Sequence, residues 1–436
     1  MYVPYSEEDI REAFKIINIE NFEDLFSHIR RDLFSEPNIS EGVSEEELKR
    51  YFENIALLNK RVINFAGFGI YDRIIPAVIE YIVSRGEFLT SYTPYQAEAS
   101  QGTLQAIFEY QSLIVELTGM DVANGSLYDG ATALAEALIM ATNIKDGDKI
   151  LLSEGINPFY RMTAQTYLKQ HGEVFEEIPL GEEGTTCTEK LKGAIDDKTI
   201  AFAVQYPNFL GYIEPLEEIG SIVKEKGILL IVVADPIAMS VLETPSKFGA
   251  DIVVGEGQQM GIPMNMGGPG IGFFATKREY VRKLPGRIVG LGEDMEGKKA
   301  FTLVLQTREQ HIRREKATSN ICTNQNLLAI ANAIYMSLMG REGLKEVAIQ
   351  SLSKALYLKN KLISLGFEEP FKGKHLWEFP LKHKNIKELY GKALKRGIVP
   401  GVPLWKYAEI ENTLLIAVTE KRTKEEMDKL VEAFSE

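Results

Sequence analysis

The sequence predicts an α/β protein, with a mostly parallel central sheet covered by helices and a smaller α+β domain at the C-terminal end. Two observations carry that expectation. From residue 105 to about 275, short apolar runs alternate with stretches of helical period, which is the pattern of strands joined by helical crossovers. Within that region, every residue after the glycine in Gly227-Ile228-Leu229-Leu230-Ile231-Val232-Val233 is apolar, as a strand must be when helices cover both faces of its sheet.

Taken in order, residues 1–65 read as an N-terminal helical segment. Apolar positions recur there at helical spacing, and Ser44-Glu45-Glu46-Glu47 offers a capping box before the helical stretch 48–58. A large α/β domain is expected over 66–325. Its first part, 63–105, is rich in Gly, Pro, Tyr and Ser and reads as mostly loop, with one helix near 76–85. Strands are expected at 149–153, 173–178, 199–205, 228–234, 252–254 and 271–275, and helices at 158–170, 188–195 and 216–226. The small domain, 326–436, opens on a long helical pattern through Ala331, Ile334 and Leu338. It closes with a strand at 414–419 and an amphipathic helix at 423–434.

Composition narrows the functional class. A chain of 436 residues can bury a sizeable core over two or three cooperating domains. The net charge of −13 argues against a nucleic-acid partner, which needs a dense positive face. Cys187 and Cys322 are the only cysteines, and they stand far apart, so neither a disulfide scaffold nor a metal site is expected. No apolar run is long enough to span a bilayer, and the first residues carry no leader pattern. The expectation is a cytoplasmic protein without membrane contact.

Three features can carry chemistry. Ser126-Leu127-Tyr128-Asp129-Gly130-Ala131-Thr132 precedes a helical run; Gly130 permits close approach, and the N–H groups of a helix start can hold a phosphate. An ordinary helix capped by Asp129 or Ser126 is the alternative. Asp235 directly follows the most apolar strand, where α/β sheets place ligands. A carboxylate there can keep a pyridinium nitrogen protonated, or it can simply cap the turn at Pro236. The third feature is a glycine-rich stretch at 255–270, GEGQQMGIPMNMGGPG.

With residues 90–102, TSYTPYQAEASQG, and 305–323, LQTREQHIRREKATSNICT, these features resemble the glycine cleavage system P-protein family. Within that family the chain is similar to the N-terminal α subunit (subunit 1) of the two-chain form. The resemblance implies a fold-type-I PLP-dependent transferase-like fold and a part in glycine decarboxylation, with the aminomethyl group passed to the lipoyl arm of the H-protein. Catalytic members carry a His-Lys-Thr tripeptide upstream of a Pro-His-Gly-rich loop. Here Gly257-Gln258-Gln259 stands at the tripeptide and Met264 replaces the histidine. An amide is no nucleophile, so Gln258 cannot form the Schiff base, and Lys247 and Lys277 read as surface residues.

The resemblance therefore implies a chain that is inactive alone, with PLP in a homologous subunit 2 and an αβ or α2β2 assembly. It also implies a vestigial cofactor pocket at Ser126, Asp129, Gly130, Thr132, Asp235 and Gln258. Candidates for donation to the partner's site are Tyr92, Tyr95 and Gln96, with Arg308, His311 and Arg313 weaker, since arginines can bind carboxylate or phosphate in bidentate fashion. For these residues interface packing or a solvated ion-pair face is the alternative. Two other functions stay open: an independent PLP-dependent lyase or aminotransferase, which needs a reactive lysine, and a purely structural scaffold.

Overall fold

The computed structural model describes residues 4–35, 37–169, 172–322 and 324–435. It contains two compact units, Met1–Lys60 and Arg61–Glu436. In the first, the helices Glu7–Ile17 and Glu45–Ala56 each start with a reciprocal capping box. At the second helix Ser44 Oγ accepts from the Glu47 amide while the Glu47 carboxylate accepts from the Ser44 amide.

The second unit is built on a seven-stranded sheet. Its strands are β1 (Val122–Ala123), β2 (Lys149–Ser153), β3 (Val174–Ile178), β4 (Thr199–Tyr206), β5 (Leu229–Ala234), β6 (Ile252–Glu256) and β7 (Gly272–Thr276). The spatial order is β1-β7-β6-β5-β4-β2-β3. All neighbours are parallel except at β7, which runs against both β1 and β6. β5 is central, with Val232 opposite Val204 on one side and Val253 on the other, and all six of its residues are buried. Helices including Gly130–Thr142, Pro158–Leu168 and Leu216–Lys226 join the strands. The expectation for the second of these ended on Gln170, which lies outside the described residues.

Several elements differ from the sequence expectation, among them the strands Val122–Ala123, Glu378–Lys382 and Val402–Pro403, which were not expected. The loop expected up to 105 ends at Ser100, where the helix Gln101–Thr118 begins. Its buried face, including Leu104, Ile107, Tyr110 and Ile114, packs on the hydrophobic core. An antiparallel hairpin, Ile288–Glu293 with Lys299–Val304, had no sequence signal. Gly290 and Gly292 interrupt any apolar alternation there, and most of the hairpin is only partly buried. The helix Ile386–Lys395 was likewise not anticipated.

The long helix Asn326–Ile363 breaks at Gly340, whose φ of 58° is left-handed. It leads to a three-stranded antiparallel sheet in which Thr413–Ala417 lies between Glu378–Lys382 and Val402–Pro403. The helices Ile386–Lys395 and Lys424–Ser435 bury Leu389, Ala393, Leu430 and Phe434 in the core.

The segment after residue 64 crosses to this C-terminal region, and Arg73 anchors it. Its guanidinium meets Glu420 at 2.6 Å, with the two side chains only 2% and 5% exposed. It also donates to Ser351 Oγ and Gln259 Oε1 and lies over the Trp377 ring. Removing one partner of a buried pair leaves an uncompensated charge. Arg73→Ala is therefore expected to cost about 3–5 kcal/mol of unfolding free energy in urea titration; a loss under 1 kcal/mol would refute the anchor.

Buried carboxyl groups set the pH response. Burial pushes Glu136, Glu214 and Glu378 up to about 7 from an ordinary value near 4.5. A carboxyl raised in the folded state holds its proton there after the unfolded chain has released it. Stability is thus undiminished below the unfolded value and falls as pH rises from about 4.5 to 7. Glu136, 4% exposed with Oε2 unpaired among the described residues, isolates the effect. Glu136→Gln is expected to flatten that decline and to gain about 1–3 kcal/mol at pH 8; identical urea midpoints at pH 5 and pH 8 for both proteins would contradict this.

Candidate functional site

The carboxyl ends of the parallel strands bring together most of the pocket residues singled out in the sequence. Asp129 caps the helix Gly130–Thr142, accepting from the Thr132 amide and hydroxyl at 2.8 Å each, while its own amide donates to Thr132 Oγ1 at 3.1 Å. Ser126 is set apart from this cluster. It is fully buried with a left-handed φ of 117°, its Oγ is unpaired among the described residues, and its carbonyl accepts from Asn324.

Gln258 follows β6 and is 3% exposed. Its Oε1 accepts from the Tyr71 amide at 3.0 Å, and its Nε2 donates to the carbonyls of Tyr71 at 3.1 Å and Ile262 at 2.8 Å. The side chain thus pairs with the backbone of Tyr71 as a neighbouring strand would, engaging the amide oxygen and both N–H groups. Gln259 bridges two charges: its Nε2 donates to Asp235 Oδ2 at 2.7 Å and its Oε1 accepts from Arg73 Nε at 2.7 Å. The other oxygen of Asp235 accepts from the amides of Ile237 and Ala238 and so caps the following turn.

These contacts pin the segment 66–73 over the strand ends. Glu378 adds to them, accepting from the Phe68 amide at 2.7 Å and the Tyr71 hydroxyl at 2.6 Å, and Asn157 Nδ2 donates to the Phe68 carbonyl. Burial, and then the nearby Glu378, hold the Tyr71 phenol far above its ordinary range. Beneath the segment lies a cavity of about 160 Å³ bordered by Phe68, Asp129, Phe159, Tyr160, Glu256, Gln258 and the loop 267–270. Among the described residues, no lysine or arginine lines it. Lys247 and Lys277 lie elsewhere, paired with Glu243 and Asp251.

A second cluster forms where residues 90–96 meet residues 287–322. Tyr95 lies under the Arg287 guanidinium, 4.9 Å from its ring centre, and its hydroxyl accepts from Arg287 at 2.8 Å. His311 meets Tyr95 edge-on at 5.7 Å and lies 3.7 Å from Glu309, which in turn faces Arg287 at 3.9 Å. Arg308 is buried and donates to the carbonyls of Leu284, Gly286 and Leu305, holding the turn beneath His311. Tyr92, Gln96 and Arg313 are exposed, Tyr92 at 77%. The last residue of the quoted 305–323 string, Thr323, lies outside the described residues.

Sequence reasoning missed Tyr71, Arg287 and Glu378, none of which belongs to a short motif. Glu256 stood in view between two glycines, but its bonds from Gly130 and Ile271 come from farther away in the chain. Among the described residues no group of three or more His, Cys, Asp or Glu is placed to hold a metal ion. None of their helices is long and apolar enough to cross a membrane.

The family model of the glycine cleavage system P-protein matches residues 1–434. The chain belongs to that family. It is 61% identical over 434 residues to the probable glycine dehydrogenase (decarboxylating) subunit 1 of Aquifex aeolicus (strain VF5), covering 99% of each chain. With the protein of the same name from Carboxydothermus hydrogenoformans (strain ATCC BAA-161 / DSM 6008 / Z-2901) the identity is 47%, again over 99% of each. A crystal structure of glycine decarboxylase (P-protein) of the glycine cleavage system, in inhibitor-bound form, superposes with a TM-score of 0.92 at 40% identity, covering 100% of this chain and 99% of that one. A NifS-like protein, 16% identical with a TM-score of 0.64 over 86% of this chain and 98% of that one, shares the fold. The architecture is thus the fold-type-I one of PLP-dependent transferases, and the chain is a P-protein subunit of the subunit 1 kind.

The residues of this P-protein chain do not fit PLP itself. The cofactor needs an amine for its aldehyde, donors or cations for its phosphate and a free carboxylate for its ring nitrogen. The amide of Gln258 is held by Tyr71 and Ile262, the Asp235 carboxylate by Gln259 and two amides, and the cavity is bordered by Asp129 and Glu256.

Proposed function

We propose that the chain is the cofactor-free subunit of a two-chain glycine decarboxylase, paired with a homologous subunit that carries the Schiff-base lysine and PLP. The observation that carries this reading is Gln258, a buried amide at the lysine position whose hydrogen-bonding groups are taken up within its own chain. On this reading the paired cytoplasmic enzyme, αβ or α2β2, decarboxylates glycine and passes the aminomethyl group to the lipoyl arm of the H-protein.

The surface between residues 74 and 95 supports a contribution to the partner's site. Ile74, Ile75, Val78, Tyr81 and Leu89 are exposed there beside Tyr92 and Tyr95, and apolar side chains gathered in this way mark an interaction face. Tyr92 makes no hydrogen bond or ring contact among the described residues, so its position is not explained by packing within the chain. We assign Tyr92, Tyr95 and Gln96 to the partner's active site, with His311 and Arg313 at its margin and Arg308 holding the turn that presents them.

The deciding experiment is a visible spectrum of the purified chain with added PLP, alone and then with its partner subunit. The expected result is no borohydride-reducible chromophore alone and lipoyl-dependent decarboxylation of glycine on mixing. A stable chromophore with turnover from this chain alone would replace the reading with an independent PLP enzyme.

A further inference from the structure

The least expected group in the pocket is the carboxylate of Glu256, the last residue of β6. One oxygen accepts from the Gly130 amide at 2.9 Å, at the first turn of the helix Gly130–Thr142. The other accepts from the amides of Gln258 at 3.0 Å and Ile271 at 2.9 Å. No lysine or arginine pairs with it among the described residues. Among the described residues its hydrogen-bond partners are all backbone N–H groups, the kind of nest that binds anions. Burial pushes its carboxyl up to about 7, so at pH 8 it is ionised.

Two glycines make room for it. A Cβ at Gly130 would come within 3.0 Å of the Glu256 Cβ and 2.5 Å of the Tyr160 hydroxyl, and one at Gly270 within 2.9 Å of the carboxylate itself. A side chain at either position would collide with the arrangement. The acid, the helix start and the glycine-rich loop therefore form one fitted unit, although the helix start lies 126 positions before the acid.

We propose that Glu256 is a built-in anion: its carboxylate fills the place at the helix start that a phosphate group would take and closes the pocket to phosphorylated ligands. With Gln258 clamped on Tyr71 and Gln259 on Asp235, the single turn 256–259 fills each of the three points at which a pyridoxal-type cofactor would be attached. An incoming phosphate would find the amides of Gly130 and Thr132 taken and two carboxylates, Asp129 and Glu256, facing it. The same carboxylate ties the helix start to the first residue after the glycine-rich loop, so it positions that loop as well. The proposal concerns this chain alone and stands whichever partner completes the enzyme.

The test uses the full-length chain and inorganic phosphate as the probe, at pH 8 and with ionic strength matched by sodium chloride. The native chain is expected to show no saturable phosphate binding by calorimetry up to about 10 mM. Glu256→Ala is expected to bind phosphate at least ~10-fold more tightly than the native chain, and phosphate is expected to raise its melting temperature and not that of the native chain, because a ligand bound only by the folded state stabilises it by mass action. Should Glu256→Ala fail to fold in chloride, recovery on refolding in phosphate supports the proposal. A folded Glu256→Ala or Glu256→Ser chain with no gain in phosphate affinity overturns it. Saturable submillimolar phosphate binding by the native chain overturns it whatever the variants do.

Discussion

Replacing Tyr92 and Tyr95 together by alanine is expected to lower glycine decarboxylation by the paired enzyme about 100-fold or more, the usual loss when a positioned hydrogen-bonding group is withdrawn from a reaction site. Assembly of the pair, followed by size exclusion with light scattering, should be unchanged. The two single variants to phenylalanine separate the causes. Tyr92→Phe removes a hydroxyl that makes no hydrogen bond among the described residues, so the chain's own stability should not move and any lost turnover reports a contact across the interface. Tyr95→Phe keeps the ring under Arg287 but removes the acceptor for its guanidinium. Full turnover in the double variant would discard both residues as donated groups and leave the chain as a scaffold.

Gln258→Lys is expected to destabilise the chain without turning it into a PLP enzyme. The native amide both donates and accepts, whereas a lysine ammonium only donates. The Tyr71 amide would lose its acceptor at 3.0 Å, and a charge would enter a site where the native side chain is 3% exposed. An orphaned buried donor and a poorly solvated charge together should cost about 2–5 kcal/mol, read from urea unfolding. Even in the folded fraction, Asp235 stays capped by Gln259 and Glu256 stays at the helix start, so added PLP should leave no borohydride-stable adduct. Undiminished stability together with a stoichiometric adduct would show that only the lysine was missing.

Much of the architecture was legible because it rests on local pattern. β5 announced itself by an unbroken apolar run, and its neighbours by short β-branched stretches separated by helical periods. The box at Ser44 and Glu47 and the cap at Asp129 join groups only three positions apart and were readable in the same way. The hairpin 288–304 was not legible, because a half-exposed ribbon broken by glycines leaves no period. The helix Ile386–Lys395 did carry a pattern, with Ile386, Leu389 and Ala393 on its buried face, but in ten residues it was weak beside its lysine-rich surroundings.

The sequence by itself determined the α/β class, the family and the absence of an amine at position 258, since all three follow from residue types and their local order. Only the tertiary structure decided what the pocket became. Gln258 meets Tyr71 across 187 positions, Tyr71 meets Glu378 across 307, and Glu256 reaches Gly130 across 126. Arg287 meets Tyr95 across 192. Hydrogen bonds between groups so far apart leave no spacing to read, because each partner is compatible with many others until the sheet brings their strand ends to one edge. A missing lysine could be read as a vacancy from the chain alone; in the folded protein the Gln258 amide and the Asp235 and Glu256 carboxylates are each taken up by groups of the same chain.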